Sequence, residues 1–147
     1  MRSALWLAAL FLLAGASVAA DTGTPQAALP HAKAPAGAEA YFIAPHDGDL
    51  ITGPVTVVMG LKGMGVAPAG MEHADTGHFH LIVDAPLPPF DQPIPKDEQH
   101  LHFGGGQTQV TLALKPGKHS LQLLMGDYAH LSFDPPVASK QITITVK

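Results

Sequence analysis

Cysteine is absent from this chain of 147 residues. Without thiols there are no disulfides, so the stability of the fold must come from its hydrophobic core. Thiolate metal ligands are excluded too, and any bound metal must use histidine, methionine, carboxylate or backbone oxygen ligands. Because a lipid-anchored bacterial lipoprotein needs a cysteine just after its leader, the sequence predicts a product without a membrane anchor after leader cleavage.

Basic residues and the motifs of common hydrolases are also scarce. Eight Lys and Arg stand against twelve Asp and Glu, and no basic patch suggests a nucleic-acid partner. The nucleophile motif Gly-x-Ser-x-Gly does not occur, and the acidic residues form no obvious acid–base pair. The sequence therefore leans against an enzyme, although it does not decide the question.

The first 20 residues are typical of a secretory signal peptide. Arg2 supplies the positive start, residues 4–14 are apolar, and small residues at 18–20 precede the expected cut before Asp21. We therefore expect a periplasmic or secreted protein. Residues 21–39 are rich in Ala, Pro, Thr and Gly without an apolar period, and they predict a flexible lead-in.

Residues 40–147 have the pattern of one all-β domain. Short stretches with alternating apolar residues are separated by Gly and Pro turns, and no stretch after the leader has a convincing helical period. About seven strands of this kind predict a single antiparallel β-sandwich, with a terminal hairpin and strand that favour an immunoglobulin-like arrangement. A jelly roll or a small barrel is the alternative.

Two stretches in this domain repeat a His-x-His pattern. On a strand, successive side chains point to opposite faces. Phe79, Leu81 and Val83 then share a core-facing side, as do Leu101 and Phe103 in the second stretch. If the two strands are neighbours, facing Cβ atoms lie about 5 Å apart. The sequence therefore predicts that four imidazoles on the other side converge on a metal ion: His78, His80, His100 and His102.

Copper is the expected ion, with zinc as its main competitor. Neutral imidazole is the commonest protein metal ligand, and a site of nitrogen ligands favours Cu(II) over Zn(II) by the general affinity order. Asp84 and Asp127 are candidate acceptors for imidazole N–H groups. Reserve ligands are available in neighbouring loops and strands: Met64, Met71, His73, Met125 and His130. For Met64 and Met71, a role as core-filling side chains competes with ligation.

The segments around the second His-x-His stretch add two expectations. Residues 85–99 contain five prolines, which exclude a regular element and predict a stiff wall beside the site. Glycine occupies positions 104–106, and no helix follows it that could bind a phosphate. We therefore expect a bulge there, or backbone packed close to the imidazoles.

Between residues 41 and 146 the chain resembles a family of small exported bacterial proteins, domain of unknown function 4399. The resemblance rests on residues 41–45 (YFIAP), 60–70 (GLKGMGVAPAG), 76–81 (TGHFHL), 100–108 (HLHFGGGQT) and the stretch from 116–119 (PGKH) to 126–127. Members of that family often have a third histidine where this chain has Phe79. The resemblance implies an exported domain and carries no established activity.

Three functions are compatible with these features. The first is a soluble periplasmic metal-binding protein that buffers or carries copper. The second is a metal-free immunoglobulin-like interaction module that contacts another protein of the cell envelope. The third is a copper or zinc metalloenzyme. The paired His-x-His stretches favour the first.

Overall fold

The computed structural model describes residues 30–147, and the predicted leader at residues 1–20 lies outside them. No helix occurs in the described part, and hence none that could cross a membrane. The nine strands of this part are β1 (Glu39–Ala44), β2 (Leu50–Ile51), β3 (Val55–Lys62), β4 (Gly65–Val66), β5 (Thr76–Val83), β6 (His100–His102), β7 (Gln109–Leu112), β8 (Gly117–Gly126) and β9 (Ile142–Val146).

The strands form two sheets that pack face to face. The smaller sheet has the order β1-β3-β7, and the larger one runs β2-β9-β8-β5. Strand β4 and strand β6 then pair with different parts of β5 on its remaining edge. Most pairs are antiparallel, and the short β2 and β4 pair in parallel. The prediction of an all-β, immunoglobulin-like sandwich is confirmed.

The main core lies between the sheets and follows the alternation of the sequence. From β5 it receives Phe79 and Leu81, which have no exposed surface, and Val83 at 7%. From β3 it receives Val55, Val57 and Met59. Burial of a side chain of this size stabilises the fold by roughly 1.5–3 kcal/mol. This gain explains why every second residue of β3 and β5, the one that faces the other sheet, is apolar.

The outer face of β5 is covered as well. Ile82 packs there with Leu124 of β8 and Ile94 of the proline-rich segment, in a second apolar cluster. The N–H of Ile94 donates a hydrogen bond of 2.7 Å to the carbonyl of His130. The segment 85–99 is therefore folded back over the larger sheet, beside the histidines of β5.

The flexible lead-in predicted for residues 21–39 differs from the structure in its described part. Asp134 N–H donates to the carbonyl of Ala32, and Ala34 N–H donates to the carbonyl of Asp134. Strand β1 already begins at Glu39, one residue before the predicted domain start. Ala32 and Ala34 also pack against the main core, so burial and backbone hydrogen bonds fix a stretch that its composition suggested was loose.

Candidate metal centre

Four imidazoles meet on the outer face of the larger sheet. His78 and His80 come from β5, His102 from β6, and His130 from the turn that follows β8. His80 and His102 are directly opposite each other in the β5–β6 register. Five of the six ring-centroid separations are between 4.8 and 5.1 Å, and the His80–His130 separation is 6.3 Å.

These separations match the size of a transition-metal site. One ring nitrogen each from His78, His80 and His102 lies within 4.8 Å of the others. An ion about 2.0–2.1 Å from each of four tetrahedral nitrogens places the ring centroids roughly 5.2 Å apart. Five of the six ring separations are therefore close to this value, and the His80–His130 separation of 6.3 Å is the one that is clearly longer.

Burial separates the four rings into two pairs. His78 and His80 have no exposed surface, whereas His102 and His130 are partly exposed. Both ring nitrogens of His78 and both of His80 are buried without a hydrogen-bond partner among the described residues. Buried polar atoms in proteins are satisfied in the great majority of cases. These four neighbouring nitrogens without partners indicate that a ligand which accepts a lone pair from each ring would be favourable here.

The local electrostatics keep these rings neutral, which is the form that binds metal. Burial, together with the neighbouring His130 and His102, lowers the pKa of His78 to about 4. Burial and the nearby His78 hold the pKa of His80 at about 3. The pKa of His102 is lowered as well, mainly by burial. Above pH 6 the buried imidazoles present lone pairs without the need to lose a proton.

Two glycines make room for the rings. A Cβ atom at Gly126, which pairs with His78 across β5 and β8, would lie 2.7 Å from Cε1 of His80. A Cβ atom at Gly104 would overlap the ring of His102. The expectation that glycine backbone packs close to the imidazoles is confirmed at Gly104.

The turn after β8 directs His130 into the cluster. Oδ1 of the buried Asp127 accepts hydrogen bonds from Ala129 N–H at 2.8 Å and Leu131 N–H at 3.0 Å. His130 itself has a φ of +64°, in the left-handed region that non-glycine residues rarely adopt. Such backbone conformations persist when the surroundings over-determine them, and they are frequent at functional sites.

The partly exposed pair of rings is already in contact. Nε2 of His102 and Nε2 of His130 lie 3.0 Å apart, so one donates a proton to the lone pair of the other. A neighbouring loop is tied to both sides of this pair. Ala69 N–H donates to the carbonyl of Gly104, and Gly70 N–H donates to the carbonyl of Tyr128. The approach to the cluster from solvent therefore lies at the His102–His130 side, next to this loop.

Comparison with known proteins identifies the family. The family model for a domain of unknown function, DUF4399, matches residues 57–147, which include the whole candidate site. The chain belongs to the DUF4399 family. No curated protein matches it.

Solved structures of two other proteins have some similarity to this DUF4399 chain. An endo-beta-1,4-mannanase from Thermotoga petrophila is 18% identical, with a TM-score of 0.44, over 75% of this chain and 20% of the mannanase. The fibronectin(III)-like modules of Clostridium thermocellum CbhA are 10% identical, with a TM-score of 0.33, over 73% and 92% of the two chains. The chain thus spans one fifth of the mannanase.

One of the four predicted ligands of the DUF4399 domain lies outside the cluster. His100 pairs with Ile82, two residues along β5 from the His80–His102 pair, and its Nδ1 is 2.8 Å from Oδ1 of Asp97. The structure brings His78, His80 and His102 together as predicted, but the fourth ring is that of the reserve candidate His130. Strand pairing explains the difference, because His100 is opposite an apolar residue and beside the second core.

The other reserve ligands do not join the rings. Met125 is on the core face of β8 opposite Phe79, and Met64 packs against the main core. Met71 is 59% exposed, so its predicted role as a core plug is wrong. His73 is also exposed and contacts the carbonyl of Ala74. The core-filling interpretation is therefore confirmed for Met64, and Met125 is likewise a core residue.

The two predicted carboxylate partners have other roles. Asp84 accepts a hydrogen bond from Nδ1 of His119 at 2.6 Å, and no bond joins it to the four rings. Asp127 supports His130 through the backbone of its turn and not through an imidazole N–H. Phe79, where the family resemblance implies an additional histidine, is buried in the main core, so the residue at this position does not affect the cluster.

Sequence reasoning missed the position of Gly126 beside the rings, and it gave Asp127 a different role, that of an acceptor for an imidazole N–H. Both precede His130 by only a few residues, and the Gly-Asp pair after an alternating strand is a turn signal. The turn signal does not predict which strand pairs with β8. Only the pairing of β8 with β5 puts this turn next to His78.

Proposed function

We propose that this domain binds a single transition-metal ion through His78, His80, His102 and His130. The observation that carries the proposal is the set of four buried, unpaired nitrogens of His78 and His80, which face two further imidazoles. A ligand that accepts lone pairs would satisfy a nitrogen on each buried ring. Water would be a weaker partner, since it must share its few hydrogen bonds among rings with little other polar surface.

Copper is the preferred ion and zinc the alternative. Four neutral nitrogens with no thiolate suit Cu(II), which lies above Zn(II) in the affinity order. Met59, Met64 and Met125 pack in or against the main core and Met71 is 59% exposed, so none of these thioethers is buried among the rings to give the donor set the character that selects Cu(I). In the contact between His102 and His130 one Nε2 carries a proton, so that ring must hold its proton on Nδ1 instead before both Nε2 atoms can bind an ion.

Buffering or carriage is a better match to this donor set than catalysis. Catalytic zinc sites keep one coordination position open, whereas closed sites use four protein ligands. Here the centroids of four rings lie 4.8 to 6.3 Å from one another, and two of the rings are partly exposed, which leaves a side from which an ion can enter or leave. In the exported protein that the leader implies, the domain would hold copper outside the cytoplasm and release it to another envelope protein.

The test is a metal titration of the full mature protein after complete removal of bound metal with a chelator. We expect Cu(II) to bind with one-to-one stoichiometry and a submicromolar Kd at pH 7, and to displace Zn(II) when both are present at equal concentration. The spectrum of the Cu(II) protein should show four nitrogen ligands. No binding tighter than micromolar for either ion would contradict the proposal.

A matched variant separates this site from adventitious histidine binding. His46 is an exposed histidine in the turn between β1 and β2, where it is close to Asp49. His46→Ala should bind Cu(II) with unchanged affinity, whereas His78→Ala should weaken binding at least 100-fold. Equal Kd values for the two variants would show that the metal binds elsewhere on the surface.

A further inference from the structure

A short N-terminal segment runs along the turn that carries His130. We call residues 31–34 the N-terminal strap and residues 127–134 the His130 loop. Nδ1 of His31 lies 2.7 Å from the carbonyl of Ser132 and donates to it. Ala34 N–H donates to the carbonyl of Asp134 at 3.0 Å, and Asp134 N–H donates to the carbonyl of Ala32 at 2.9 Å.

The proline-rich segment holds the other side of the same loop. Ile94 N–H donates to the carbonyl of His130, and the hydroxyl of Ser132 donates to the carbonyl of Phe90. The His130 loop is thus bonded on both sides by segments distant in sequence. The left-handed backbone of His130 needs such support, because its conformation is unfavourable without it.

We infer that the N-terminal strap is a positioning element of the metal centre, with His31 and Ala34 as its positioning residues. The inference rests on the proposed function, because it concerns the aim of His130 at the bound ion. Metal ligands must be held within about 0.5 Å of their productive positions by the groups around them. The strap supplies that restraint for the one ligand that lies on a loop.

The link between the attachment of the strap and metal binding also works from the metal to the strap. If an ordered strap strengthens metal binding, metal binding must strengthen the strap's attachment by the same factor. The amide hydrogen of Ala34, which bonds to Asp134, reports this directly. Its exchange with solvent should slow when Zn(II) is added to the wild-type protein, and should not change when Zn(II) is added to His130→Ala.

The decisive experiment is a double-mutant cycle in the full mature protein. Ala34→Pro removes the N–H donor to Asp134, and Lys33→Ala is its control, because it removes only an exposed ion pair with Asp134. We expect Ala34→Pro to weaken Cu(II) binding about tenfold and to change the spectrum of bound Cu(II). In the His130→Ala background the same change should alter the Kd less than twofold. Lys33→Ala should match the wild type.

A milder variant and a metal-free measurement complete the test. His31→Ala removes one bond to Ser132 without a backbone change, and should weaken Cu(II) binding about threefold. If both strap variants fold and keep the wild-type Kd, or lose as much affinity with His130 absent, the inference is overturned. Should the wild type bind no metal, the proposed function fails separately. The strap is then tested by the imidazole NMR signals of His102 and His130, which Ala34→Pro should shift while those of His119 stay unchanged.

Discussion

His80 and His119 show how differently the same side chain is used in this domain. Both nitrogens of His119 have partners, Asp84 on one side and the carbonyl of Lys115 on the other. Both nitrogens of His80 are buried and have none among residues 30–147. A buried polar atom without a partner costs about 1–3 kcal/mol. His80 thus lowers the stability of the metal-free fold, which is typical of residues retained for function.

This contrast predicts opposite effects of the same substitution. His80→Leu should raise the free energy of unfolding of the metal-free protein by about 1–3 kcal/mol, because it removes two unsatisfied polar atoms. It should also abolish stabilisation by Cu(II). The control, His119→Leu, should lower stability by a similar amount and leave Cu(II) binding intact. Urea unfolding with and without Cu(II) measures both, and a destabilised metal-free His80→Leu would contradict the argument.

The choice between His100 and His130 as fourth ligand gives a second prediction at this scale. His130→Ala should weaken Cu(II) binding at least tenfold, because its ring lies 4.8 Å from that of His102 and 5.0 Å from that of His78. His100→Ala should change the Kd less than threefold, since the ring of His100 bonds to Asp97. Competition titrations with a Cu(II) chelator measure the two values. The reverse order would restore the ligand set expected from the sequence.

Three strands and one turn build the site at the scale of elements. Strand β5 carries two of the proposed ligands, with β6 and β8 on its two sides. In the β5–β8 register His78 is opposite Gly126 and His80 is opposite Leu124. The absence of a side chain at Gly126 leaves the volume that the two rings occupy. The β5–β8 register and the glycine at position 126 together therefore determine where the imidazoles meet.

Gly126→Ala tests that dependence. The added methyl would lie 2.7 Å from Cε1 of His80 and 3.3 Å from Cε1 of His78, so the rings must move apart. We expect Cu(II) affinity to fall at least tenfold. The control is Gly65→Ala in β4, where the new methyl would meet a methyl group of Thr76 at 3.2 Å and no imidazole. Equal Cu(II) affinities in the two variants, measured by titration, would show that the rings tolerate the change.

Alternation along β5 and β6 was enough to predict three of the four rings. Successive side chains of a strand point to alternate faces, so Phe79 and Leu81 must lie on the other face of β5 from His78 and His80. Alternation says nothing about which strand lies on the other edge of β5. That neighbour is β8, and the turn after it supplies His130. The position of the fourth ring depended on tertiary pairing and not on local pattern.

At the scale of the whole molecule, the proposed metal centre lies outside the main core of the sandwich. The core between the sheets uses the inner face of β5, and the histidines use its outer face beneath the proline-rich segment and the His130 loop. A lead-in expected to be loose also contributes, since residues 31–34 bond to that loop. Composition alone could not reveal this, because short alanine side chains pack well only once a surface is present.

Acidification should therefore destabilise the whole metal-free domain. The pKa values of about 4 for His78 and about 3 for His80 lie below the unfolded value of 6.5, so the unfolded state binds more protons between these limits. Their contribution is complete above pH 6.5 and is lost as the pH falls towards 4 and then 3. Each histidine adds a slope of up to about 1.4 kcal/mol per pH unit.

His119 has the opposite effect on stability, because hydrogen bonds to Lys115 and Asp84 raise its pKa. Its contribution to the free energy of unfolding is present below pH 6.5 and is lost at higher pH. With three lowered histidines against this one, the net free energy of unfolding should fall from pH 7 to pH 5. In His80→Leu, the slope of the free energy of unfolding against pH should be smaller by up to about 1.4 kcal/mol per pH unit, the contribution of one proton. Urea unfolding at pH 7, 6 and 5 measures the slope. A stability that is constant over this range in the chelator-treated wild type would mean that the rings are not buried as neutral groups.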